Sequence, residues 1–406
     1  MTAPFHVMTK PAGAACNLAC EYCYYLEKED LYPCAGTPRM SDATLERYVR
    51  DYIESQDSPE VQFAWQGGEP TLLGLDFFRK AVALQERYRG SKTITNAFQT
   101  NGTLLNAEWA SFFKEHGFLV GISIDGPEDL HDHYRVDRGG RPTFAKVMRG
   151  WETLRAADVD ANTLTVVNRR NSREPERVYE FLKGIGSTYL QFIPIVEREP
   201  DERLSPEGID LAGPPAPDEP GARIPVTPWS VRPRDFGRFL NAIFDRWIRS
   251  DVGTVFVQHF DVALGKWAGA PGGLCAFAEE CGRAMALEHN GDLYSCDHYV
   301  YPSYRLGNIG ERTFAEMADS PEQVAFGRAK STELADACRA CRYRFACNGD
   351  CPKHRFVPTG KGKPGISYLC PGLKAFFSHV DEPMREMARL YRSGEPAARI
   401  MRRFRD

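Results

Sequence analysis

The chain has 406 residues, long enough for a large core and more than one domain. A hydrophobic share of 42%, a charged share of 26% and a net charge of −4 describe an ordinary globular protein with no general basic field for nucleic acid. No apolar run approaches the ~20 residues of a membrane helix, and MTAPFHVMTKPAGAAC lacks the charged start and apolar core of a signal peptide, so a cytoplasmic protein with no membrane partner is expected.

The first half alternates strand and helix patterns. Short apolar runs rich in Val, Ile, Phe and Thr occur at 5–9, 61–65, 93–100, 118–125, 162–168 and 189–196. Amphipathic stretches at 41–55, 75–89, 107–116, 144–157 and 174–184 separate them, with Ser41 and Asn106 as N-caps. Strands interleaved with helices predict a parallel sheet covered by helices. Six such units are too few to close an eightfold barrel, so an open, partial (β/α)6 barrel of TIM type is expected, with its chemistry at the C-terminal strand ends.

The first strand is followed by CNLACEYCYY, which places Cys16, Cys20 and Cys23 in C-x3-C-x2-C spacing. Three thiolates this close suit three irons of a [4Fe–4S] cube and leave the fourth iron open to another ligand. The competing reading is structural zinc, which requires a fourth ligand that this triplet lacks. Later strand ends carry Gln66-Gly67-Gly68-Glu69-Pro70, Gln99-Thr100-Asn101-Gly102 and Ser123-Ile124-Asp125-Gly126-Pro127. Each alone reads as a turn; their common rim is what favours a site. His131 and His133 stand two apart, which on a helix points them to different faces, so they do not make a metal pair.

Residues 1–232 thus read as the barrel, ending in a loop with Pro200, Pro206, Pro214, Pro215, Pro217, Pro220, Pro225 and Pro228. Residues 233–269 read as a bridging helical segment, apolar on the side of Phe236, Phe239, Leu240, Ile243, Phe244 and Trp247. Residues 270–371 are cysteine- and glycine-rich, with a hairpin turning at His289-Asn290-Gly291, and 372–406 form a helical tail whose arginines read as a solvated face. Gly360-Lys361-Gly362-Lys363-Pro364-Gly365 matches G-x-G-x-x-G formally, but no strand precedes it and it reads as a loop.

The 12 cysteines cluster. Besides the first three, Cys275, Cys281 and Cys296 are followed by Cys338, Cys341, Cys347, Cys351 and Cys370, leaving Cys34 without a role. A disulfide framework is not expected in a long chain with no secretion signal. Eight cysteines suit two fully ligated [4Fe–4S] clusters, with zinc ribbons as the alternative, and spacing does not say which cysteines share a metal.

Three stretches carry a family resemblance: CNLACEYCYY, then ALEHNGDLYSCDHYVYPSYRLGNI at 286–309, then CRACRYRFACNGDCPKHR at 338–355. The chain resembles radical S-adenosylmethionine (SAM) proteins with a C-terminal SPASM domain, and among them the anaerobic sulfatase-maturating enzymes. The proline-rich insert is a departure and puts substrate docking there in doubt. The resemblance implies three [4Fe–4S] clusters: Cys16, Cys20 and Cys23 for the SAM-cleaving cluster, Cys275, Cys281, Cys296 and Cys351 for a first auxiliary cluster, and Cys338, Cys341, Cys347 and Cys370 for a second. It places Tyr22, Gly67, Gly68, Ser123, Arg135 and Val196 against SAM, and makes Asp297 the catalytic base, its pKa expected to be raised by the neighbouring cluster. The implied reaction oxidises a cysteine or serine of an unfolded or nascent sulfatase peptide to Cα-formylglycine, through a 5′-deoxyadenosyl radical that takes hydrogen from Cβ. A reduced flavodoxin- or ferredoxin-type protein would donate the electron. A peptide maturase forming thioether or carbon–carbon cross-links would share the fold and clusters, and a non-catalytic metal-binding module would not need the open triplet.

Overall fold

A computed structural model describes residues 4–31, 38–199, 209, 211–215, 225–271 and 273–404. The predicted alternation is present. Parallel strands β1 (His6–Lys10), β2 (Glu60–Trp65), β3 (Thr93–Thr100), β4 (Phe118–Ser123), β5 (Ala161–Val167) and β6 (Tyr189–Pro194) lie side by side in chain order. Helices Asp42–Glu54, Leu75–Tyr88, Ala107–Glu115, Phe144–Ala156 and Pro175–Gly184 fall between them, and the barrel stays open. The predicted caps hold: Ser41 Oγ accepts from Thr44 N, and Asn106 Oδ1 accepts from Glu108 N and Trp109 N.

The core between sheet and helices is aromatic. Phe63 and Trp65 of β2 stack at 5.9 Å, and Tyr48, Phe78, Phe98, Trp109 and Phe113 pack around them or one another. Such side chains each bury a large apolar area and prefer tilted or edge contacts, so they fix how the helices sit on the strands.

The sheet does not stop at six strands. A two-residue strand β7 (Phe256–Val257) pairs with β6, while β8 (Ala284–Glu288), β9 (Asp292–Tyr294) and β10 (Arg305–Asn308) extend the opposite edge, making a sheet of ten strands among the described residues. The hairpin anticipated around Asn290-Gly291 is β8–β9. Its first strand runs parallel to β1 in a register that sets His6 against Ala284 and Lys10 against Glu288. The cysteine-rich half is therefore built onto the first barrel strand, which covers an edge that would otherwise expose unpaired backbone.

On the other side, helix Pro233–Ser250 packs along helix Cys370–Arg392. The two backbones meet at glycines: a Cβ on Gly372 would stand 1.9 Å from Pro233 O, and one on Gly237 would stand 2.6 Å from Gly372 O. This approach fixes the helix that begins at Cys370. The described tail arginines Arg399, Arg402 and Arg403 are exposed, as expected, and Arg403 makes surface ion pairs with Glu382 at 2.6 Å and Glu386 at 2.8 Å. The stem of the proline-rich insert is tied by Glu199 N to Pro225 O and Thr227 N to Glu197 O, and Leu211 N donates to Glu27 Oε2 at 2.8 Å. Cys34 and most of the insert lie outside the described residues.

Candidate active site at the barrel mouth

The loop after β1 carries Cys16, Cys20 and Cys23 across the mouth. It is held from two sides. On one, Ala19 N donates to Val136 O and Glu21 N to Tyr134 O. On the other, Gly68 N donates to Gly13 O and Glu69 N to Ala15 O, both at 2.8 Å. A Cβ on Gly68 would stand 2.0 Å from Ala15 O, so the close approach these glycines allow is first of all to the cysteine loop itself. Glu69 is fully buried, and its carboxylate accepts from Thr71 N and Oγ1, Thr100 Oγ1 and Asn101 N at 2.6 to 3.1 Å. That one side chain ties β2 to β3 beneath the loop.

The described cysteines are all free. Burial lifts the Cys16 thiol to about 11, with Glu69 and Cys23 adding, and lifts Cys20 to about 12, with Cys23 and Cys16 adding. The eight later thiols fall into two sets by the same criterion. Burial first, then Cys351 and Cys275, raise Cys296, while Cys275 raises Cys281 and Cys351. Burial first, then Cys370 and Cys338 among others, raise Cys347, and Cys338 and Cys341 raise Cys370. The cysteine charge neighbours of the later thiols thus run within Cys275, Cys281, Cys296 and Cys351 and within Cys338, Cys341, Cys347 and Cys370, the grouping that the resemblance implies. A cube takes thiolates at separate corners and replaces their protons with iron, so these buried thiols fit it.

Tyr22, Asp125 and Arg135 form a buried triad. Tyr22 Oη donates to Asp125 Oδ2 at 2.5 Å, and Arg135 Nη1 donates to Tyr22 Oη at 2.7 Å. Arg135 is therefore no surface arginine, and its Nε is buried without a hydrogen-bond partner among the described residues, as a donor reserved for a ligand would be. Ser123 Oγ accepts from Gln99 Nε2 at 3.1 Å, and Val196 is buried just past β6. His131 is buried and His133 exposed, as their spacing implied.

Asp297 comes to the same mouth from the other half of the chain. Its carboxylate accepts from Tyr24 Oη at 2.5 Å and forms a buried ion pair with Lys10. Burial alone would raise the carboxyl, but Lys10, His298 and the hydrogen bonds from Lys10 and Tyr24 outweigh it and hold Asp297 below the usual carboxylate range. A cation placed by the β1–β8 register faces the group and opposes the upward shift expected from a neighbouring cluster; nothing in the sequence signals that pairing. Lys10 Nζ also lies 4.3 Å over the Tyr25 ring, and Tyr25 donates to Glu288. Tyr24 is flanked by His298 at 5.1 Å and by Lys353 Nζ at 4.4 Å, and Lys353 pairs with Glu197. Nearby Lys28 is buried, its ammonium 3.3 Å over Tyr301, and burial lowers it to about 7.

Lys10, Tyr24, Lys28 and the Glu197–Lys353 pair were not singled out from the sequence, and Glu69 and Asp125 appeared there only as members of rim stretches. Lys10, Glu69, Asp125 and Glu197 all stand at or just past strand ends, and that rim position was the available sign.

The Radical SAM superfamily matches residues 11–182, and an iron–sulfur cluster-binding domain, SPASM, matches 275–342. The chain is 46% identical, over 99% of its length and 96% of the relative's, to a serine-type anaerobic sulfatase-maturating enzyme of Bacteroides thetaiotaomicron. It is 32% identical to a cysteine-type enzyme of Clostridium perfringens, over 93% of this chain and 96% of that one. The solved structure of native anSMEcpe with bound AdoMet and the Cp18Cys peptide superposes with a TM-score of 0.82 at 30% identity, covering 95% of this chain and 99% of that one. Streptococcus suis SuiB shares the fold, with a TM-score of 0.61 at 12% identity over 91% of this chain and 76% of that one. The chain belongs to the anaerobic sulfatase-maturating enzymes, radical SAM proteins with an iron–sulfur cluster-binding domain.

Proposed function

We propose that this enzyme oxidises a serine of an unfolded sulfatase peptide to Cα-formylglycine, with Asp297 as the base that accepts the hydroxyl proton. When bound, the open cluster would supply the electron that cleaves SAM to the 5′-deoxyadenosyl radical, which takes hydrogen from Cβ, and the first auxiliary cluster would accept the electron that the substrate then gives up. Cys16, Cys20 and Cys23 would hold that cluster, Cys275, Cys281, Cys296 and Cys351 the first auxiliary cluster, and Cys338, Cys341, Cys347 and Cys370 the second.

The observation that carries the reading is a single hydrogen bond. Tyr24 directly follows Cys23, Asp297 directly follows Cys296, and Tyr24 donates to Asp297 at 2.5 Å. That bond joins the neighbour of a cysteine in the first set to the neighbour of a cysteine in the second, which supports Asp297 as the base. Lys10 keeps the carboxylate ionised and so free of a proton before reaction, and Tyr24 fixes its orientation. Arg135, with its free buried Nε, is suited to the SAM carboxylate. Tyr22, Gly67, Gly68, Ser123 and Val196 complete that pocket.

Serine as the target is supported by the higher identity to serine-type relatives, 46% and 38%, than to cysteine-type ones, 33% and 32%. The partners proposed are the nascent or unfolded sulfatase chain and a reduced flavodoxin- or ferredoxin-type donor. Free, clustered thiols suit the reducing cytoplasm, and among the described residues no helix is long and apolar enough to cross a membrane. The test is competition between peptides that differ only in serine or cysteine before x-Pro/Ala-x-Arg. Aldehyde capture by a hydrazide on the serine peptide supports the proposal; a cross-linked product on either peptide points to a cross-linking maturase instead.

A further inference from the structure

On the outer side of the cysteine loop lies a cavity of about 290 Å³ lined by His133, Tyr134, Arg169, Arg170, Arg173 and Glu174. Its basic character stands out in a chain of net charge −4. Arg169 is held in place, its backbone N donating to Trp229 O at 2.8 Å and its Nε to Ser230 O at 2.7 Å. Arg170 is exposed and only loosely paired, 4.0 Å from Asp129, which Arg177 already engages at 2.8 Å. Arg173 is exposed and has no ion-pair partner among the described residues. The one carboxylate of the lining, Glu174, faces Arg177 at 3.6 Å.

Tyr134 is the wall between this cavity and the cysteine loop. Its carbonyl accepts from Glu21 N at 3.0 Å, its ring lies 6.0 Å from that of Tyr22, and it packs in one buried group with Leu18, Cys20 and Tyr22. Arg169, Arg170 and Arg173 line the same cavity as Tyr134. Farther along the same segment, exposed Arg138 donates to Cys16 O at 2.7 Å.

We propose that this basic cavity is the docking surface for a small acidic electron-carrier protein of the flavodoxin type. The proposal rests on the reading that Cys16, Cys20 and Cys23 hold a redox cluster. Charge decides the occupant. SAM carries a sulfonium, and the sulfatase peptide an arginine after its target residue, so three guanidiniums repel both. A carrier with an acidic rim is attracted, and docking there sets its flavin one tyrosine away from the loop. One electron leaves the anionic flavin hydroquinone, which becomes the neutral semiquinone, and enters the oxidised cluster; no proton moves and no bond breaks.

The test measures binding of an oxidised bacterial flavodoxin to the full chain, with and without clusters, at low and at 300 mM salt. The expected result is that R170E/R173E weakens binding at least tenfold at low salt, that added salt erases the difference, and that R402E on the distal tail binds as wild type does. The milder R173Q weakens binding in the same direction. With reconstituted enzyme, flavodoxin-driven SAM cleavage falls in parallel, while dithionite-driven cleavage stays at the wild-type rate. Wild-type binding by R170E/R173E, equal weakening by R402E, or equal loss of dithionite-driven cleavage would overturn the docking surface. Wild-type enzyme that cleaves no SAM with dithionite would overturn the cluster reading instead, and the binding measurement would still decide this one.

Discussion

Tyr24 donates its hydroxyl to the Asp297 carboxylate at 2.5 Å, joining the residue after the last cysteine of the first loop to the residue after Cys296. Tyr24 is part of the barrel and Asp297 of the cysteine-rich half. The bond exists because β8 adds to the free edge of β1, and that register also brings Lys10 to the same carboxylate.

Replacing Asp297 by Asn keeps the side-chain shape and removes the proton acceptor. Formylglycine formation is expected to fall by about 10²–10⁴-fold. SAM cleavage continues, uncoupled from product. Quantifying 5′-deoxyadenosine and peptide aldehyde in the same reaction checks both halves.

Lys10→Met leaves Asp297 as a buried, uncompensated charge. Removing one partner of such a pair costs about 3–5 kcal/mol. The double variant K10M/D297N should be less destabilised than the sum of the single variants, because it removes both charges. Denaturant unfolding of the four proteins under anaerobic conditions measures the coupling.

Gly68→Ala drives a methyl group to within 2.0 Å of Ala15 O and displaces the loop before Cys16. The auxiliary cysteine sets are built from other segments and are untouched. Iron content is expected to drop from about twelve to about eight per chain, with SAM cleavage lost.

Lys28 gives a pH signature. Its folded-state pKa is lowered to about 7 by burial, with Lys353 adding, against Glu27, Glu197 and Asp297, which favour the charge. The folded state therefore binds this proton less readily than the unfolded state does. The charged lysine costs stability in full below about pH 7, and the cost is relieved as pH rises from there toward the ordinary lysine value. Lys28→Met should raise the Tm most below pH 7, with the gain shrinking at higher pH.

Much of the barrel was legible because its information is local. The strand from Thr93 to Thr100 and the caps Ser41 and Asn106 follow from period, β-branched content and side-chain oxygens next to helix starts. The cysteine spacing and the rim glycines were equally visible. The neighbours of Asp297 were not. A parallel pairing between His6–Lys10 and Ala284–Glu288 leaves no turn and no shared period in the sequence, so neither Lys10 nor the sign of the Asp297 shift could be read from it. Arg135 likewise came only from the resemblance, because its burial depends on Tyr22 and Asp125 from separate loops.

The most direct test uses a sulfatase-type peptide whose target serine carries deuterium at Cβ, incubated anaerobically with reconstituted enzyme, SAM and dithionite. The account predicts deuterium in the released 5′-deoxyadenosine and an aldehyde at the former serine in matching amounts. Release of 5′-deoxyadenosine without deuterium, or deuterium transfer that ends in a cross-link rather than an aldehyde, would contradict it.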